Sequence, residues 1–100
     1  MDSIERALYL VEHSLPPVTG PELDLLQGAL TTACARSSAR GERVDYLGSA
    51  FLPRPARLLS LFRATDAEAV RKAAESAQAP AAILEVAITL PAPRQAKEKR

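Results

Sequence analysis

The strongest constraint in this sequence is the order of its apolar segments, which read strand, helix, strand, strand, helix, strand. A hairpin punctuated by proline, Phe51-Leu52-Pro53-Arg54-Pro55, joins the two halves. Few topologies accept that order. Two split βαβ halves meeting at a hairpin predict an α+β, ferredoxin-like βαββαβ domain: a four-stranded antiparallel sheet with both helices on one face. The other face is left bare. A bare apolar face needs a cover, and a second copy of the chain supplies one, so the expectation is a homodimer enclosing a semi-polar, small-molecule pocket between sheet faces.

The segments carry their own start and stop signals. Ala7-Leu8-Tyr9-Leu10-Val11 is a compact β-favouring run before the polar Glu12-His13-Ser14 and the stop Leu15-Pro16-Pro17, which fits a first strand buried on both faces. Thr19 as cap, Pro21 in the first turn and Glu22 as the return arm of a capping box open the first helix. Its apolar stripe runs through Leu23, Leu26, Leu30, Ala33 and Ser37, widened by Leu25 and Ala29, until Gly41 stops it. Residues 44–51 predict the second strand, with Val44, Tyr46, Gly48 and Ala50 on one face and Gly48 as a candidate bulge. Prolines exclude pairing through residues 53–55, and residues 57–63 return as the third strand. A second capping box at Thr65-Asp66-Ala67-Glu68 predicts a helix to about residue 78 with Ala67, Val70, Ala74 and Ala77 inward. Pro80 ends it, and residues 83–90 alternate as the last strand.

Composition narrows the function classes. With 100 residues the chain has room for one domain, assigned to residues 1–90, followed by a polar basic tail over 91–100 expected to be disordered. Thirteen basic against 12 acidic residues leave no electrostatic footprint for nucleic acid or an anionic membrane. One cysteine, Cys34, cannot form an internal disulfide, no apolar run approaches a membrane span, and Met1-Asp2-Ser3-Ile4-Glu5-Arg6 has no signal-peptide core. A cytoplasmic location is the expectation. With one histidine, four glycines and neither CxxC nor HExxH, the common hydrolase, phosphate-loop and zinc-site patterns are missing.

Several short stretches resemble a known family. Leu10-Val11-Glu12-His13 before the proline stop, Tyr46-Leu47-Gly48-Ser49, Ala64-Thr65-Asp66-Ala67-Glu68-Ala69-Val70-Arg71 and Ala79-Pro80-Ala81-Ala82-Ile83-Leu84-Glu85-Val86 are similar to a family of small bacterial proteins, some described as nickel-binding. The resemblance spans residues 7–90 and implies a ferredoxin-like protomer, a homodimer, and polar sheet residues able to hold a metal. It also shows departures. Where the family tends to carry a histidine beside the second-strand serine, a cysteine in the third strand and a histidine in the second helix, this chain has Gly48, Ser60 and Ala73. Nickel favours imidazole nitrogen, so the implied binding is weak. What the resemblance leaves is Glu12, Ser49 and Glu85, with His13 as the single imidazole, and His13 with Glu12 as the candidate metal ligands.

The residues also support a pocket on their own. Strand alternation gathers Glu12, Tyr46, Gly48, Ser60, Phe62 and Glu85 on the open face while Leu59, Leu61, Val86 and Ile88 go to the helices. Carboxylates held there would gain proton affinity by desolvation and mutual repulsion, the condition for general acid and base work. Glu12, Tyr46 and Glu85 are therefore candidate catalytic groups, and Gly48, Ser49, Ser60 and Phe62 candidate ligand contacts. Three functions follow: a module binding a small ligand or, weakly, a nickel-like metal; alternatively a cofactor-free cyclase, isomerase or monooxygenase of the dimeric α+β barrel type; and an interaction protein whose sheet face only makes the dimer. The plainer reading has these carboxylates bridge a dimer interface or pair with Arg57 and Arg63. His13 is expected to pack, partly exposed, against the proline loop, and Cys34 to be a small buried group.

Overall fold

In the computed structural model, residues 6–91 are described. The elements are β1 (Ala7–His13), α1 (Gly20–Ala39), β2 (Val44–Pro53), β3 (Ala56–Ala64), α2 (Ala67–Ser76) and β4 (Ala81–Ala87). Neighbouring strands are antiparallel in the order β2-β3-β1-β4, which is the ferredoxin-like sheet. The tail beyond Pro91 lies outside the described residues. Among those described, no helix is long and apolar enough to cross a membrane.

Both helices are fixed by local chemistry at their ends. The Thr19 backbone N–H donates to the Glu22 carboxylate at 2.8 Å, the return arm of the capping box. At the other end of α1, Gly41 takes φ +95°, and Glu42 N–H reaches back to the Ser37 carbonyl at 3.0 Å. That is a Schellman stop. α2 starts differently from expectation: Asp66, not Thr65, is the cap, its carboxylate accepting from Ala69 N–H at 2.8 Å. Val70, Ala74 and Ala77 are buried as expected, while Ala67 is exposed and Ala69 and Ala73 are buried beside them. α2 ends at Ser76 with the same motif, built here on Gln78 at φ +62°, with Ala79 N–H bonded to the Ala74 carbonyl at 2.9 Å.

The core lies between the helices and one sheet face. Tyr9 and Val11 of β1, Val44 of β2 and Phe62 and Ala64 of β3 pack with Leu30, Ala33 and Cys34 of α1 and the small residues of α2. Alanines on α2 let its backbone sit close to the sheet. Four expectations change. β1 is buried on one face only, since Leu10 on the other is 39 % exposed. β3 has the reverse of the expected facing: Leu58, Ser60 and Phe62 are buried under the helices, and Leu59 and Leu61 face the open side. The alternation was right and its phase wrong, because an apolar residue fits either face when the open one is also apolar. Pro53 does pair, with Ala56, which the chain tolerates because β2 is an edge strand. β4 stops at Ala87, opposite Leu8, three residues short of the expected Leu90.

Candidate functional site

A single glycine decides which side chains meet. In β2 the register against β3 shifts between Tyr46 and Gly48, so Tyr46 pairs with Phe62, Gly48 with Leu61 and Ser49 with Ser60. Leu47 is the extra residue of a bulge, and Gly48 holds it with φ +136°, a conformation that residues with a side chain adopt only under strain. One inserted residue reverses the alternation that follows. Tyr46 and Ser49, three apart, therefore share the helix-facing side, whereas Gly48 and Ala50, expected beside Tyr46, do not.

That reversal completes a chain of hydrogen bonds through the core. His13 Nδ1 lies 2.7 Å from the Ala79 carbonyl, and His13 Nε2 lies 2.7 Å from Ser60 Oγ. Ser60 Oγ is 2.6 Å from Ser49 Oγ, and Ser49 Oγ is 2.5 Å from the Tyr46 phenol oxygen. Gln27 Nε2 of α1 donates to that phenol at 3.3 Å. The ends set the direction. A carbonyl can only accept, so Nδ1 carries the hydrogen; burial pushes the His13 pKa down against the weaker raising effect of the carbonyl, leaving the ring neutral and Nε2 an acceptor. Ser60 then donates to His13, Ser49 to Ser60, and Tyr46 to Ser49. Every hydroxyl is satisfied, and every hydrogen points inward.

The expected position of His13 is corrected accordingly: it is 5 % exposed and bonded at both nitrogens. Its inner partner had no signal in the sequence, because Ala79 contributes a backbone carbonyl, aimed by the left-handed Gln78 turn. Gln27 was missed as well, being an ordinary polar residue on an exposed helix face. Cys34 is buried, its thiol pushed up to about 11 chiefly by desolvation and also by Asp45, so it is a packing group and no nucleophile.

The candidate residues thus divide between two faces. Tyr46, Ser49, Ser60, Phe62 and His13 lie on the helix side, and Phe62 is fully buried, its ring 5.5 Å from that of Tyr46. Glu12, Gly48 and Glu85 belong to the open side. The structure does not bring Glu12, Tyr46 and Glu85 together. Glu85 is exposed across from Leu10, and Glu12 is 3.9 Å from Arg57, so neither carboxylate is in the dry setting expected for it. Glu12 and His13, adjacent on a strand, point to opposite sides and do not converge on one ion. Among the described residues, no three His, Cys, Asp or Glu side chains cluster as a metal site would require.

Three concavities flank these groups, one of them, of about 140 Å³, lying between His13, the proline loop and the β2–β3 hairpin. On the open face, a groove of about 380 Å³ is lined by Leu10, Leu47, Gly48, Ala50, Leu59 and Leu61 with Ser49 and Ser60. On the helix side, a cleft of about 180 Å³ lies between α1 and the β2–β3 hairpin, lined by Leu23, Gln27, Ser49, Phe51 and Leu58. Asp45, on the open side of β2, is held below the usual carboxylate range chiefly by a hydrogen bond from Arg6 at 2.5 Å.

No protein-family model matches the chain, and no curated protein matches it. Among solved structures it is similar to that of SCO4226 from Streptomyces coelicolor A3(2), with a TM-score of 0.66 and 21 % sequence identity over 86 % of this chain and all of that one. At that identity the likeness concerns the fold.

Proposed function

We propose that this chain is a small-ligand-binding module that works as a homodimer, with the ligand held on the open sheet face beneath a second copy. The observation that carries this reading is the composition of that face. Leu10, Leu47 and Ile83 are 39, 43 and 49 % exposed, around half-buried Leu59 and Leu61. Leucines on the inner strands, with charged pairs (Glu12 with Arg57, Asp45 with Arg6 and Arg43) towards the strand ends and Glu85 on the β4 edge, have the layout of an interface core and its polar rim. The groove among them has a volume in the range of about 300–1,000 Å³ usual for small-molecule sites, and a facing copy would roof it.

The donor set favours an organic ligand over a metal. His13 spends both nitrogens on internal bonds, and among the described residues Glu12 belongs to no cluster of three His, Cys, Asp or Glu side chains. The nickel implied by the family resemblance therefore does not fit these residues. The enzyme reading needs dry carboxylates, and Glu12 beside Arg57 and exposed Glu85 do not supply them within one chain.

Sedimentation velocity on the chain and on Leu61→Arg tests the proposal. A dimer for the native chain, reduced to a folded monomer by the arginine, is the expected result; a native monomer at high micromolar concentration would sink it. Uptake of an apolar fluorescent probe by the dimer and its loss in Leu61→Arg would place the ligand at the shared face.

A further inference from the structure

The helix-side cleft lies on the other face of the sheet and owes nothing to a second copy. Its wall is apolar at Leu23, Phe51 and Leu58 and polar at Gln27 and Ser49. Ser49 and Gln27 are also the two groups bonded to the Tyr46 phenol oxygen, so the cleft opens onto the outer end of the hydrogen-bond chain. We propose that this cleft binds a single-ring molecule carrying a hydroxyl or N–H group, whose hydrogen is donated to the outer oxygens of the Tyr46–Ser49–Ser60–His13 chain.

Three features lead there. The first is size: the cleft offers about 180 Å³, and a cavity of about 150 Å³ lined by apolar side chains accommodates benzene. The second is polarity. Because the Ala79 carbonyl fixes the hydrogen on the neutral His13 at Nδ1, each hydroxyl donates inward, so Ser49 in the cleft wall, and the Tyr46 oxygen reached behind Gln27, have lone pairs and no hydrogen to offer. A hydroxyl oxygen has two lone pairs, and each of these has one in use, so each has room for one more donor. The third is the weak occupancy of that position, since the Gln27 amide reaches the phenol at 3.3 Å, long for a hydrogen bond to a phenol. A ligand donor displaces Gln27 from Tyr46, or joins Ser49, without breaking any buried bond. An acceptor such as an ether or a ketone meets lone pairs at Ser49 and Tyr46, and its one donor there is the solvent-exposed Gln27 amide.

Phenol and anisole make the comparison directly, having one ring each and differing in the donor. Binding is followed by chemical-shift perturbation in 15N–1H spectra of the chain. Phenol is expected to bind about three- to tenfold more tightly than anisole, the worth of one net hydrogen bond, with the largest shifts at Gln27, Ser49 and Phe51. Leu23→Trp, which fills the cleft from a half-exposed position, should abolish binding of both. Ser49→Ala should erase the preference, since Tyr46 then loses its inward acceptor and is free to donate outward. Gln27→Leu, on the exposed helix surface and without risk to the fold, should keep or increase it by removing the competing amide. Equal affinity for the two probes, a preference untouched by Ser49→Ala or lost in Gln27→Leu, binding that survives Leu23→Trp, or no saturable phenol binding in the millimolar range would each overturn the assignment.

Discussion

The two faces of this sheet each carry groups that the usual relation between polarity and burial would place on the other. Under the helices lie an imidazole, two serine hydroxyls and part of a phenol; on the open side lie leucines. The buried polar groups are stable there because each has a partner, and among the described residues no buried side-chain nitrogen or oxygen is left without one. The leucines have no such answer within one chain. A polar group can be satisfied locally by geometry, whereas an exposed apolar surface is satisfied only by cover. The helix side is therefore complete in itself, and the open side is where the protomer depends on something else.

Adjacent residues of β3 give the largest test of that contrast. Phe62→Ala opens a cavity in the closed core and should lower the unfolding free energy by about 3–5 kcal/mol. Leu61→Ala, one residue along on the half-buried open side, should cost about 1 kcal/mol in a monomer. Urea titrations at low protein concentration read both; equal costs would mean that the two faces are equally closed. Next in size is Gly48→Ala. No atom lies near the added methyl, so its cost is that of the backbone at φ +136°, about 1–3 kcal/mol. Because the bulge sets the facing of Ser49, the same variant should also change the Tyr46 ring and Ser49 amide resonances in NMR spectra.

Acidification from pH 8 to 5 acts on the helix side through His13. Its folded-state pKa lies below the unfolded value of 6.5 because the ring is buried. Between the two values the unfolded chain binds more protons, so the His13 contribution is fully present above about pH 6.5 and is lost as pH falls towards the folded pKa, with a slope of at most about 1.4 kcal/mol per pH unit. Melting temperatures of the chain and of His13→Gln, measured from pH 8 to 5, should show that component in the first and not in the second. Parallel curves would mean that the ring already titrates in contact with water.

How far the sequence revealed this arrangement depends on the kind of information each part needs. Element order, the Gly41 stop and the capping-box glutamate are local, and the chain states them through turn and cap chemistry. The phase of β3 is not local. Ser60 reads as an outward polar break in Leu58-Leu59-Ser60-Leu61-Phe62 until it is known that His13 and Ser49 wait for it inside, and that knowledge rests on cross-strand register. Gly48 was legible as a bulge, yet its consequence, the passage of Ser49 to the side of Tyr46, follows only once the partner strand counts the extra residue. The Ala79 carbonyl could not be read at all, since every residue has one.

The smallest effect belongs to Glu12→Gln, and it separates the open face of one chain from that of a covered one. Glu12 lies 3.9 Å from Arg57, with side chains 29 and 42 % exposed, so within a protomer the pair is screened and its loss should cost no more than about 0–1 kcal/mol. A second copy laid over the leucines would take water from the same carboxylate and make its pairing matter more. In the monomeric Leu61→Arg background the substitution should be close to neutral, and in the native chain its cost should grow with protein concentration as dimer forms. An unchanged small cost at every concentration would place Glu12 outside the covered area and confine the interface to the leucines alone.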